Sequence, residues 1–168
     1  MAHVNRSRTV SWADPLEIVR ASADLSGLEI IRGFIEGRFP PPPIVSLLGF
    51  RIVEADEGRA VFEVEPHESH YNGIGVVHGG IAATLLDSAM GCAVQSTQPR
   101  GRTFTTLELK TNYVRALTVG SGVIRCEAKV LHVGSRVATA EGRVTDPKGR
   151  LCAHGSTTCL VYDISKKG

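Results

Sequence analysis

The run at residues 79–96, GGIAATLLDSAMGCAVQS, constrains the fold more than any other part of this chain. It contains no proline, and wound as a helix it carries apolar residues on most sides. A helix of that kind belongs inside a domain rather than on its surface. Gly79, Gly80, Ala82, Ala83, Ser88, Ala89, Gly91 and Ala93 are all small, so a sheet can approach it closely. Two strand candidates precede it, residues 51–56 and 59–65, joined at Glu57-Gly58. Four longer ones follow, at 103–115, 122–133, 136–145 and 151–162. Their connectors are short, and the one at 146–149 reads Asp-Pro-Lys-Gly, a sound turn. Short connectors imply antiparallel neighbours. Leu107, Leu109 and Tyr113 alternate with Glu108, Lys110 and Asn112, the period of a sheet with one wet face. The sequence therefore predicts an α+β layer with a helix held against one sheet.

Asp87 is the only Asp, Glu, Lys or Arg between Glu68 and Arg100, in a chain that is 21% charged. A carboxylate in such surroundings is costly unless it is paired, hydrogen-bonded or used. The rest of the composition is ordinary: 168 residues, 42% hydrophobic, net charge +2. These values suit one soluble domain and give no argument for nucleic acid. No apolar stretch is long enough to span a bilayer. The polar opening MAHVNRSRTVSWADP has no apolar core of a secretory signal. Cys92, Cys126, Cys152 and Cys159 form no CxxC pair and no zinc spacing. The expectation is free thiols, no metal, and a reducing cytoplasm.

Before the strands, residues 1–13 read as a tail. Asp14-Pro15 signals a helix start, and that helix runs to about residue 25. Ser26 and Glu29 have capping-box spacing. Leu28, Ile31 and Phe34 or Ile35 then recur on one face, and the prolines at 40–43 end the helix as a stiff connector. Residues 14–40 thus read as a helical extension packed on the main domain or on a neighbour.

The element order, NGIGVVHGGIAATLLD and TTLELKTNYVRA together resemble the hot-dog fold. More narrowly, the chain resembles acyl-CoA thioesterases of the phenylacetic-acid-degradation type, over residues 40–162. The resemblance implies a curved antiparallel sheet of about six strands wrapped around a central helix. It implies a thioesterase domain at 41–163, the extension at 14–40, and tails at 1–13 and 164–168. It also implies an acyl-CoA substrate, no cofactor, and self-association as a homodimer or homotetramer.

Site residues follow by position. The first amides of a helix lack intrahelical partners, and with the helix dipole they can hold a developing oxyanion. By resemblance the Gly79 amide has that role; close helix–sheet packing is the other reason for glycine there. Asp87 would act as general base on water or as a nucleophile; otherwise it is a structural hydrogen-bond acceptor. It lies about 12 Å along the helix from Gly79, so one thioester can meet both only if they come from different copies of the chain. Asn72 would hold the carbonyl or the water, unless it is only a turn residue of Asn72-Gly73. His78 braces the helix start in this family, although a base role is conceivable. Thr105 and Thr106 open the third strand, and alignment places Thr106 where a hydroxyl helps the Asp hold water. His132, Gly134, Ser135 and Arg136 form the turn that the resemblance sets near the nucleotide of CoA, with Arg100 and Arg102 as a second option.

Three rivals stay open: a hot-dog hydratase or dehydratase on enoyl or hydroxyacyl thioesters, a non-catalytic acyl-CoA-binding regulator, and a scaffold. The acyl group, aromatic or medium-chain, is not legible, nor is CoA distinguished from an acyl-carrier protein.

Overall fold

A computed structural model describes residues 5–164. Four α-helices and six strands follow in the order α1 (Pro15–Ala21), α2 (Gly27–Ile35), α3 (Pro43–Leu48), β1 (Phe50–Asp56), β2 (Arg59–Val64), α4 (Gly79–Ser96), β3 (Arg102–Tyr113), β4 (Ile124–Val133), β5 (Val137–Thr145) and β6 (Leu151–Asp163). The strands make one sheet in the order β1-β2-β4-β5-β6-β3, antiparallel throughout. Helix α4 touches all six. Leu85, Leu86, Ala89, Met90 and Val94 of α4 are buried against Phe62, Ile124, Ala138, Ala140, Val144 and Val161 of the sheet. Each large apolar side chain buried in this way contributes about 1.5–3 kcal/mol.

The central helix, its bounds and the six strands match the sequence expectation to within two residues at nearly every end. Asp14 caps α1 through Leu16 N–H, and the Ser26–Glu29 capping box is formed at α2. The extension packs on the domain: Gly27 N–H donates to Gln98 O, and α2 lies against β1 and α4. Helix α1 stops at Ala21, short of the expected end near residue 25. The prolines hold a further difference. Pro43 is not only the end of a connector; it occupies the first turn of α3, where a missing N–H costs nothing.

A second difference lies in β3. The ladder with β6 shifts between Thr106 and Glu108, so Leu107 is bulged out of register. Phe104, Thr106, Leu109 and Thr111 lean inward, while Leu107 is 60% exposed. The simple alternation that put Leu107 and Leu109 on one face fails at that bulge. Residues 5–13 of the expected tail carry no helix or strand; residues 1–4 and 165–168 of the expected tails lie outside the described residues. Among the described residues no helix is long and apolar enough to cross a membrane, and no cluster of three metal-binding side chains occurs. The four cysteines are free.

Candidate active site

Asp87 sits midway along α4 and is partly buried. Its Oδ1 accepts a 2.9 Å hydrogen bond from Thr106 Oγ1. The bulge at Leu107 restarts the ladder just after Thr106 and leaves its hydroxyl facing the helix. Oδ2 of Asp87 has no donor among the described residues. The carboxylate borders a cavity of about 560 Å³ whose wall is otherwise largely apolar. Cys92 lies on the same wall. Burial pushes its thiol up to about 12, and the Asp87 charge adds to the effect, so it stays protonated and inert as a nucleophile.

The start of α4 is a separate centre. His78 is its N-cap, and His78 Nδ1 accepts from Gly80 N–H at 2.9 Å. A Cβ at Gly80 would lie 2.9 Å from that Nδ1, so glycine lets the cap close. Ile81 N–H is taken by His78 O. Gly79 N–H has no acceptor among the described residues. This amide opens onto a cleft of about 360 Å³ bounded by Val77, His78, Ala82 and residues 113–117. Tyr113, which sequence reasoning passed over, packs its ring on the backbone here; a Cβ at Gly79 would come within 3.1 Å of its Cζ.

The loop before the helix is braced from inside. His78 N–H donates to His70 O, and Val77 N–H to Leu117 O. Tyr71 Oη accepts from Val119 N–H. His70 is buried, and that burial holds its imidazole below its ordinary value, with Arg8 and His67 adding to the effect. Asn72 Oδ1 accepts from Ile74 N–H at 3.0 Å and Val76 N–H at 3.3 Å, so its carbonyl oxygen is used to shape the loop. Its amide nitrogen has no acceptor among the described residues. With its Nδ1 engaged, His78 serves the helix start, and proton transfer at that nitrogen would cost the cap.

Within one chain Asp87 and Thr106 meet, and Gly79 and His78 meet at the helix start, which the His78 N–H bond to His70 O ties to the preceding loop. The two groups stand about two turns of helix apart. The exposed turn at Gly134, Ser135 and Arg136 lies on the Asp87 side. Thr106 pairs with Cys159, and Cys159 with Ala138, which places Arg136 two residues beyond that row. His132 lies opposite Thr139 across the same hairpin. Arg102 donates to Ser135 O at 2.5 Å and pairs with Asp163, and Arg100 pairs with Asp24. Arg136 has no carboxylate partner among the described residues, which leaves it the freer cation of the three.

Fold and site together define a hot-dog domain whose candidate functional groups sit at the start and the middle of its central helix. The sequence profile of the Thioesterase superfamily matches residues 74–153, spanning the HGG turn, Asp87 and Thr106. A candidate esterase of Halobacterium salinarum is 38% identical over 62% of this chain and 70% of its own length. Human acyl-coenzyme A thioesterase 13 is 31% identical over 64% of this chain and 76% of its own length. A phenylacetic-acid-degradation-related protein of Ralstonia eutropha JMP134 superposes with a TM-score of 0.70 at 25% identity, over 77% of this chain and 98% of that one. The chain belongs to the thioesterase superfamily, a family of enzymes that hydrolyse thioesters.

Proposed function

We propose that the chain hydrolyses an acyl-CoA thioester to CoA and a carboxylic acid, at a site shared by two copies of itself. One observation carries this reading. Asp87 is held by Thr106 beside an apolar cavity, while the helix-start amide of Gly79 is left without an acceptor among the described residues. The thioester carbonyl oxygen accepts from Gly79 N–H of one copy, with the Asn72 amide beside it. Asp87 of the other copy takes a proton from water. The water oxygen bonds the carbonyl carbon, and the electron pair moves to the oxygen facing Gly79. Collapse breaks the C–S bond, and the proton held by Asp87 passes to the departing thiolate. A fixed, partly buried amide of this kind stabilises the oxyanion more than water would. The reaction needs no metal or cofactor. The unpaired Arg136 guanidinium, with His132, Gly134 and Ser135 around it, is suited to the CoA phosphates.

The strand edge at β3 supports the pairing of copies. It is an outer strand with Leu107 and Tyr113 exposed, and the unpaired backbone of an open edge invites a second strand. The free cysteines support a reducing, cytoplasmic setting.

Asp87→Asn tests the reading. It is expected to fold and assemble as the wild type does, while release of free thiol from a panel of acyl-CoA esters falls about 10²- to 10⁴-fold. Turnover near the wild-type rate would overturn the assignment. Enoyl-CoA hydration without thiol release would favour the hydratase class instead.

A further inference from the structure

All five phenylalanines of this chain, Phe34, Phe39, Phe50, Phe62 and Phe104, border the single cavity beside Asp87. Protein interiors close-pack, and a space of about 560 Å³ ringed by aromatic side chains lies in the range of ligand pockets. Nearly half of its lining, from Phe34 to Val45, comes from α2, the proline run and α3. That segment lies wholly outside the stretch that matches the family profile. The Asp87 side of the cavity thus lies within the stretch shared with the family profile, and the facing wall lies outside it.

The wall is pre-formed. Phe39 folds back on α2, where Arg38 N–H and Phe39 N–H both donate to Gly33 O. Its ring stands edge-on to Phe34 with centroids 5.8 Å apart. A Cβ at Gly33 would fall 2.4 Å from the Phe39 ring, so the bare glycine is what lets the edge of that ring come down on the helix. The Arg38 guanidinium lies over the same ring, 5.6 Å from its centroid. The charges at the cavity are Asp87 and Arg51, and Arg51 is occupied by Glu63 at 2.6 Å. A second carboxylate on an acyl tail would find no free cation there and would meet the charge of Asp87.

Resting on the hydrolase reading, we infer that the segment from Phe34 to Val45 is the specificity wall of this enzyme. It selects uncharged, apolar acyl groups and limits their length through the paired rings of Phe34 and Phe39. Two variants test it from different directions. Phe34→Ala removes a ring from the wall. Gly33→Ala removes nothing, suits a helix better than glycine, and forces Phe39 out of place.

Kinetics on short-, medium- and long-chain acyl-CoA esters would be paired with calorimetric binding of the matching non-hydrolysable thioethers. Both variants are expected to raise the long-to-short ratio of kcat/KM by about 10-fold or more, with the thioether affinities shifting in step. Hydrolysis that persists with all chain lengths changed by one common factor overturns the wall and leaves the hydrolase reading standing. A shift in thioether affinity in a protein that hydrolyses no ester keeps the wall and overturns the hydrolase reading. If Phe34→Ala does not fold, Gly33→Ala decides alone.

Discussion

The Thr106 hydroxyl is the smallest group on which the proposed chemistry turns. It donates to Oδ1 of Asp87 and leaves Oδ2 for water. A hydrogen bond to a charged group contributes about 1.5–3 kcal/mol. Thr106→Val keeps the β-branched shape that suits a strand and removes only that bond. Its kcat is therefore expected to fall about 10- to 100-fold, with KM little changed and the melting temperature within a few degrees of wild type. Stopped-flow thiol release and a thermal scan check this. An unaltered kcat would remove Thr106 from the site. At this scale much was legible in advance. A lone acid in apolar sequence, a His-Gly-Gly turn and a threonine at a strand start are local patterns. Tyr113 was not, because its place over Gly79 depends on a strand folding back across the helix start.

Elements were legible where a single period rules them and illegible where context overrides it. Helix α4 and the hairpins follow from hydrophobic spacing and turn chemistry. The bulge at Leu107 and helix α3 do not. One is a ladder fault set by the partner strand, and the other follows a proline run that reads as a stop. The β1–β2–β4 face carries an ion network that makes its own prediction. Arg125 and then Arg59 hold the Glu54 carboxyl below its usual range, and Arg59 does the same to Glu127. Arg59 bonds Glu54 and Glu127 at 2.7 and 2.9 Å. A carboxyl lowered in the folded state gives stability above its unfolded pKa, and that stability is lost as pH falls through the folded value. The melting temperature is therefore expected to drop from about pH 5 downward. Glu54→Gln should flatten that drop by removing one titrating member. An equally steep acid limb in Glu54→Gln would show that the network does not govern it.

For the whole molecule, the decisive matter is that the two halves of the proposed site stand about 12 Å apart on one helix. The sequence spacing alone carried that distance, and with it the expectation of a paired assembly. The edge across which pairing would occur came from the strand order, which no local pattern encodes. Leu107, bulged outward on the open strand β3, is the residue to charge. Leu107→Asp would set two carboxylates against each other across a two-fold axis. Light scattering is expected to show a monomer, and thiol release should fall in proportion to the lost dimer. A dimer of wild-type activity would refute pairing through β3.

Strand β3 follows the central helix directly, yet its hydrogen-bond partner is β6, the last strand in chain order. Thr106 is fixed opposite Cys159 only when that final strand has been laid down. A nascent chain on the ribosome can therefore wrap most of its sheet around α4 while the acid at position 87 still lacks its companion. The Asp87–Thr106 pair is completed late in synthesis, with the closing of the last ladder.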